Sequence, residues 1–252
     1  MSAAKAKGDG AKTRLDVILV QRGLAETREL ARRMIMAGLV EVHEALVDKP
    51  GKLVSISSEI RVREPFPPYV SRGGLKLEAA LDHFRIEVRE QTILDAGAST
   101  GGFTDCLLQR GAGCVISVDV GYGILHWKLR NDPRVKILER TNIRYLKPED
   151  LEGPVDGAVI DVSFISLKLV IPPVSSLLKE EAYILALVKP QFEVGKGQVG
   201  KGGVVRDPHL HEQVIGSIEE FSRAVGWRVV GHVASPILGP KGNREFFVYL
   251  RR

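Results

Sequence analysis

The stretch Ile93-Leu-Asp-Ala-Gly-Ala-Ser-Thr-Gly-Gly-Phe-Thr-Asp105 constrains this chain more than any other. An apolar pair runs into an acid, then into small residues, then into a run of helix type. That order reads as a buried strand, a tight turn and a helix N-terminus, where free backbone N–H groups and the helix dipole meet a ligand. Gly97, Gly101 and Gly102 lack a Cβ, so the backbone there is free to take positive φ and let a ligand lie against it.

Three kinds of site use such a turn. A dinucleotide fingerprint needs a third residue of glycine where Ser99 stands. A nucleophile elbow fits Gly97-Ala-Ser99-Thr-Gly101 to the letter. The third is the S-adenosylmethionine loop of a Rossmann-like methyltransferase, in which one acid closes the first strand and another closes the next. Asp95 is the first acid, and Val115-Ile-Ser-Val-Asp119 supplies the second at about the distance a nucleotide-binding fold requires. An elbow has no use for either acid, so the cofactor loop is the reading adopted.

From Thr92 onward strand and helix patterns alternate, as a mostly parallel α/β sheet requires. Strands are expected at 92–95, 114–119, 135–138, 155–161, 182–189, 227–233 and 245–250. The last follows its predecessor through a Pro/Gly loop without a helix, which makes it the antiparallel strand of a seven-stranded methyltransferase sheet. In such a sheet the site lies beyond the carboxyl ends of the parallel strands. Asp161 and Lys189 end strands at that edge, and Glu245 opens the antiparallel strand at the same edge. Ser71 is expected to cap a helix over 73–83, with Leu75, Ala79 and Leu81 on its packing side, and Lys76 from this helix is the fourth candidate. Singly, each charge has a duller explanation as a solvated residue. Together they converge on one crevice beside the loop.

Residues 14–62 form a separate unit. A helix is expected from Arg14, stopped at Gly23. Thr27 is the N-cap of a second helix over 28–37, which carries Leu30, Ala31, Met34 and Ile35 on one face and Arg28, Arg32 and Arg33 on the other. For one helix alone, a solvated basic face is the commoner explanation of such arginines. Short β segments follow at 39–42, 45–47 and 59–63, with Lys49-Pro-Gly-Lys52 as a turn and His43 as a surface turn residue. Residues 1–13 read as a flexible basic arm and 64–70 as a Pro-rich linker, leaving 71–252 as the second domain.

This first unit resembles the S4 RNA-binding fold through Arg14-Leu-Asp and Arg32-Arg-x-Ile-x-Ala-Gly38-Leu-Val. That fold usually has an Asn-Gly-type turn where His43-Glu-Ala stands here, so a looser hairpin is expected. Lys76, Asp161, Lys189 and Glu245 are similar to the Lys-Asp-Lys-Glu tetrad of FtsJ-like ribose 2′-O-methyltransferases. With Ser71-Arg-Gly-Gly-Leu-Lys-Leu, Asp161-Val-Ser-Phe-Ile-Ser and Val188-Lys-Pro-Gln-Phe-Glu193, the whole chain resembles the TlyA family, which methylates cytidine 2′-hydroxyls of ribosomal RNA and is often labelled haemolysin.

The resemblance implies S-adenosylmethionine as cofactor and ribosomal RNA, within ribosomal subunits, as partner. Asp95, Gly97, Ala98, Ser99, Thr100, Gly101, Gly102 and Phe103 are expected to surround its methionine end, Asp119 its ribose and Asn142 its adenine. Arg14, Arg28, Arg32, Arg33, Arg72, Lys196 and Lys201 are the expected RNA contacts. A ribose 2′-OH is a poor nucleophile, so a base helps. Lys189 is assigned that role with Lys76 as its cationic neighbour, while Asp161 and Glu245 fix geometry and balance charge. No metal is required. His126 and Trp127 are expected to pack. Gly195-Lys-Gly-Gln-Val-Gly-Lys-Gly-Gly203 imitates a phosphate-binding loop but has Gly202 where a hydroxyl should stand. It is either a basic loop at the RNA entrance or a connector.

The net charge of +5 suits a polyanionic partner, and 44% hydrophobic residues suit a sizeable core. The two cysteines, Cys106 and Cys114, have no metal-ligand spacing and read as reduced core residues of a cytoplasmic protein. No run approaches a membrane span, which weighs against the membrane-active toxin that the haemolysin label suggests. Two other rivals are a serine hydrolase using Ser99, Asp161 and His232, and an RNA-binding assembly factor with an inactive second domain.

Overall fold

The computed structural model describes residues 12–36, 38–62, 68–195, 197–200, 202–239 and 241–252. The chain divides into two compact units, Met1–Pro67 and Pro68–Arg252. The expected linker segment 64–67, most of the N-terminal arm, Lys196 and Lys201 lie outside the described residues.

In the first unit, β1 (Lys12–Arg14) leads into α1 (Leu15–Gln21), followed by α2 (Arg28–Met36), β2 (Val40–Val42), β3 (Ala45–Leu46), β4 (Leu53–Ser55) and β5 (Ile60–Val62). Thr27 Oγ1 accepts the Leu30 N–H at 3.1 Å, the N-cap bond expected for α2. Leu15, Ile18 and Leu19 of α1 meet Ala31, Met34 and Ile35 of α2 in one core, with Val40, Val42 and Val54 closing it from the strands. Lys12 and Thr13, expected in a flexible arm, instead pair antiparallel with Ser55 and Val54. The hairpin between β2 and β3 is tight rather than loose. His43 and Glu44 both adopt positive φ, 51° and 63°, the backbone of a two-residue type I′ turn. The His43 N–H donating to the Glu59 carbonyl at 3.0 Å pins the corner to the segment entering β5.

The second unit is a seven-stranded sheet. Its elements are α3 (Gly73–Phe84), β6 (Thr92–Ala96), α4 (Gly102–Gln109), β7 (Cys114–Val118), α5 (Trp127–Arg130), β8 (Val135–Leu138), β9 (Val155–Ile160), α6 (Ile171–Ser176), β10 (Leu178–Val188), α7 (Pro190–Glu193), α8 (Pro208–Ala224), β11 (Arg228–Ala234) and β12 (Phe246–Arg251). The strand order is β11-β12-β10-β9-β6-β7-β8, with β12 antiparallel to both neighbours and β6 through β10 parallel. This is the Rossmann-like methyltransferase arrangement.

Alternate residues of each strand serve opposite faces. Leu94, Ile116, Ala158, Ile184 and Val248 meet α6 and α8 on one face. Ile93, Val115, Val159, Leu185 and Phe247 meet α3 and α4 on the other. The chain runs from β6 outward to β8, then returns to β9 on the other side of β6, so the topological switch point lies between β6 and β9. On α3 the fully buried side is Leu77, Ala80 and Leu81, while the expected Leu75 and Ala79 are only half-buried. Arg72, not Ser71, occupies the N-cap position, although Ser71 Oγ accepts a long bond from the Gly73 N–H at 3.4 Å.

Candidate active site

Sheet register brings the four charged candidates together. Ile160 pairs with Ala96 on one side and Ala186 on the other, so Asp161 leaves the sheet beside the glycine loop. Val188 is opposite Phe246 across the antiparallel pair, which sets Lys189 and Glu245, the next residue outward on each strand, at the same edge. Lys189 Nζ lies 2.5 Å from Asp161 Oδ1 and donates to Ser163 Oγ at 2.9 Å. Lys76 Nζ reaches down from α3 and donates to Glu245 Oε2 at 2.6 Å. Glu245 is 1% exposed and Lys76 8%, so this pair is buried. Gly239 makes room for it, since a Cβ there would stand 2.4 Å from Glu245 Oε1. The four charges sum to zero, and each cation has its own carboxylate. A cavity of about 500 Å³ opens over them, lined also by Ser163, Phe164, Phe192 and Asn243.

The glycine loop lies beside this cavity. Gly97 has φ +89°, and a Cβ on it would sit 2.6 Å from the Asp161 carbonyl oxygen, so the loop touches the β9 exit through bare backbone. Gly97, Ala98, Ser99, Thr100, Gly102 and Phe103 line a second cavity of about 440 Å³ together with Arg72 and Asp161. Gly101 does not face this space, because its missing Cβ points at the Leu129 and Leu125 side chains, 2.2 and 2.8 Å away. Gly102 allows the close approach of α4 to the start of α3, since a Cβ there would strike Ser71 Oγ at 2.2 Å, and Gly74 makes room for the Tyr69 ring against α3.

Asp95 is fully buried under the loop rather than on it. Its Oδ2 accepts the Thr104 hydroxyl at 2.7 Å, and Thr104 is bonded in turn to Ser117. Its Oδ1 has no hydrogen-bond partner. Burial pushes the carboxyl up to about 7, the Thr104 bond opposing the shift. Asp119 closes β7, and its two oxygens accept from the Ser99 and Gly121 N–H groups at 2.8 and 2.7 Å. A groove of about 760 Å³ runs past Asp119, Ile124, Asn142, Ile143, Asp161 and Phe164. Asn142 caps the short 3-10 turn 143–145 by accepting from the Arg144 N–H.

These features fit a nucleoside-bearing cofactor. The glycine cradle is one a Cβ would fill, the unpartnered Asp95 oxygen lies beneath it, and each Asp119 oxygen keeps a free lone pair for ribose hydroxyls.

Other candidates fall elsewhere. His126 Nδ1 accepts the Lys128 N–H as the N-cap of α5, while Trp127 is 69% exposed against the expected packing, its ring 5.8 Å from that of His126. His232 lies on edge strand β11, bound to Glu219 of α8 at 2.8 Å, with β12, β10 and β9 between it and the glycine loop. A Ser99–Asp161–His232 triad is therefore not assembled. In the first unit, Arg14 and Arg28 converge on buried Asp16 at 2.9 and 3.3 Å, which holds that carboxyl below its usual range, and Arg32 and Arg33 are exposed on α2.

Sequence reasoning gave no role to Phe164, Ser163, Phe192 or Glu193. Phe164 is 90% exposed with φ +64°, a backbone state uncommon for a bulky residue, and its ring lies 4.9 Å from that of Phe192. The available signal was an aromatic residue just past a strand end, between Ser163 and Ile165.

The fold is that of a Rossmann-like methyltransferase, and the site fits a nucleoside-bearing cofactor. The chain belongs to the FtsJ-like methyltransferase family, whose profile matches residues 69–252, and an S4 domain profile matches residues 13–60. It is 52% identical over 240 residues to YqxC of Bacillus subtilis, provisionally named an rRNA methyltransferase, covering 95% of this chain and 85% of that one. It is 50% identical over 241 residues to the 16S/23S rRNA (cytidine-2′-O)-methyltransferase TlyA of Mycobacterium tuberculosis, covering 95% and 90%. A solved structure from Streptococcus thermophilus, provisionally called a hemolysin, is 46% identical with a TM-score of 0.75, covering 96% of this chain and 88% of that one.

Proposed function

We propose that this chain transfers a methyl group from S-adenosylmethionine to the ribose 2′-hydroxyl of a cytidine in ribosomal RNA. The observation that carries the reading is the pairing Lys189–Asp161 and Lys76–Glu245 at one strand edge, next to the Gly97 cradle. The half-identical relative named for cytidine-2′-O methylation of 16S and 23S rRNA supports the substrate.

The cofactor supplies an activated methyl group, so the protein's task is alignment and proton removal rather than bond polarisation. Gly97 to Thr100 and Phe103 hold the methionine end, Asp119 the ribose and Asn142 the adenine. Lys189, once its own ammonium proton has passed to solvent, takes the proton of the attacking 2′-OH at its Nζ. Asp161 and Ser163 fix the position of that nitrogen, and Glu245 holds Lys76 as a cation beside the nucleophile. A base so placed contributes about 10²–10⁴-fold.

In the first unit the exposed arginines of α2 take RNA phosphates, with Arg14 and Arg28 set in place by Asp16. Arg72 at the cavity rim extends the same role. The domain limits that go with this are 14–63 for RNA binding and 71–252 for catalysis, working in the cytoplasm.

The test is incubation of purified protein with labelled S-adenosylmethionine and unmethylated ribosomal subunits, followed by mapping of 2′-O-methyl sites. Absence of label in ribose would reject the reading. No helix among the described residues is long and apolar enough to cross a membrane. A liposome-leakage assay on the same preparation tests the haemolysin alternative.

A further inference from the structure

Two segments leave the sheet side by side at the site. The first is residues 161–167 after β9, and the second is residues 189–193 after β10. They meet at successive points in the same order. Lys189 Nζ contacts Asp161 Oδ1 at 2.5 Å and Ser163 Oγ at 2.9 Å. The Phe192 ring lies 4.9 Å from the Phe164 ring. Glu193 Oε2 accepts the Ser166 hydroxyl at 2.6 Å, and its Oε1 accepts the Leu167 N–H at 2.8 Å.

Glu193 closes this ladder at the end away from the chemistry. It receives one side-chain and one backbone donor, so it fixes both the position and the orientation of the loop. Ser166 donates its proton to Glu193 and has a lone pair left to accept the Lys168 N–H at 3.2 Å, capping the 3-10 turn Leu167–Leu169. The opposite end of the loop is fixed by the Asp161 N–H on the Ala96 carbonyl at 2.9 Å. Between these anchors Phe164 holds positive φ while 90% exposed, so its own burial does not keep it there. Strained backbone persists only where its surroundings over-determine it. Glu193 supplies that constraint downstream through the two bonds its carboxyl makes to Ser166 and Leu167.

We propose that Glu193 is a positioning residue of the methyl-transfer site, clamping the 161–167 loop so that Asp161, Ser163 and Phe164 are held against the Lys189 turn. The inference rests on the methyltransferase reading given above, and it adds a residue outside the Lys-Asp-Lys-Glu set. Glu193 touches neither Lys189 nor Asp161; it acts through the loop.

The experiment compares Glu193→Ala, Glu193→Gln and Ser166→Ala with wild type in the full chain. Transfer from labelled S-adenosylmethionine to ribosomal subunits is resolved into kcat and KM, with cofactor Kd and thermal midpoint measured alongside. A misplacement of about an ångström costs on the order of 10²-fold in rate. Glu193→Ala should therefore lower kcat by about that factor, with cofactor Kd, RNA KM and midpoint close to wild type. Glu193→Gln should recover kcat to within a few-fold, because its amide oxygen accepts from Leu167 and its amide nitrogen donates to Ser166. Ser166→Ala should lower kcat less than Glu193→Ala, since the Leu167 bond survives; it decides the matter if Glu193→Ala fails to fold.

Wild-type kcat in Glu193→Ala overturns the proposal, as does wild-type kcat in Ser166→Ala should the alanine variant not fold. So does a loss in Glu193→Ala that glutamine does not rescue, or one matched by an equal fall in cofactor affinity or midpoint. If the wild-type protein itself labels no ribose, the methyltransferase reading fails instead.

Discussion

At the scale of single residues, the site separates charges that must act from a charge that must stay hidden. Lys189 is the proposed actor. Replacing it with alanine should abolish transfer by at least about 10²-fold while cofactor and RNA binding persist. Lys189→Arg keeps the charge facing Asp161 but cannot give up a proton at working pH, so it should be nearly as slow. Single-turnover transfer decides this, and an arginine variant within a few-fold of wild type would make Lys189 an electrostatic clamp instead of a base. Asp95 is the hidden charge. Its folded-state carboxyl lies near 7, above the ordinary value of 3.8, because burial penalises the anion. Between about pH 4 and 7 the unfolded chain therefore loses this proton while the folded chain keeps it. The Asp95 contribution to stability is present below pH 4, falls through that window, and is level above it. Asp95→Asn removes the titration and can still accept the Thr104 hydroxyl. Its stability relative to wild type should rise by a few kcal/mol from pH 4 to 7, the slope approaching about 1.4 kcal/mol for each step of one in pH, and then stay constant. Urea midpoints measured across that range check this, and parallel profiles for the two proteins would contradict the buried-anion account.

At the scale of elements, the glycines of the β6–α4 turn divide into those that shape the cavity and those that pack under it. A Cβ at Gly97 meets the Asp161 backbone at 2.6 Å with φ at +89°, so Gly97→Ala must move the strand exit that carries the Asp161 carboxylate. A side chain at Gly101 meets Leu129 and Leu125 instead, away from the cavity. Both variants should be destabilised, by about 1–3 kcal/mol for a non-glycine residue at such φ and more if the clash cannot relax. Gly97→Ala should in addition lose transfer in the fraction that remains folded. Denaturation midpoints and cofactor titration on each variant check this; wild-type stability in Gly97→Ala would mean the loop does not touch β9 as described. The same elements explain what the sequence did and did not disclose. The seven strands were legible as short apolar runs closed by acids or turn residues, as in Val155–Ile160. Three of the four charged candidates were legible because Asp161 and Lys189 follow strand ends and Glu245 precedes a strand at the same edge, Lys76 joining them from α3. Strand β10 begins at Leu178, four residues before its periodic part, since Lys179, Glu180 and Glu181 carry no apolar alternation and the register shifts between Leu178 and Tyr183. Strands β1 and β4 were not expected because they pair with each other across some forty residues, a contact that local pattern does not show. Phe164 and Glu193 were missed because their work depends on the path of loops beyond the strand ends, which no periodicity encodes.

At the scale of the whole molecule, the two units have separate cores. Among the described residues, the buried apolar side chains of the first unit's core lie between Leu15 and Val54, and those of the second lie between Tyr69 and Leu250. The second unit's core is built from its own residues, so that unit carries its own means of folding. Every residue assigned to the cofactor also lies in the second unit. Removing residues 1–67 should therefore leave a folded protein whose S-adenosylmethionine affinity, by calorimetry, is within a few-fold of the full chain. RNA binding is a different matter. The first unit presents Arg14, Arg28, Arg32 and Arg33 at its surface, and Asp16, held ionised between Arg14 and Arg28, fixes the direction of two of them. Each phosphate that such a cation neutralises contributes a slope of about 0.7–0.9 to the dependence of log K on log salt. The truncated protein should bind ribosomal subunits more weakly and with a slope reduced by a few such steps. Titrations at several salt concentrations, with both proteins on the same subunits, measure this. An unchanged slope would mean that the first unit's arginines do not meet phosphate, and full methylation by the truncated protein at physiological salt would remove the need for the first unit in substrate capture.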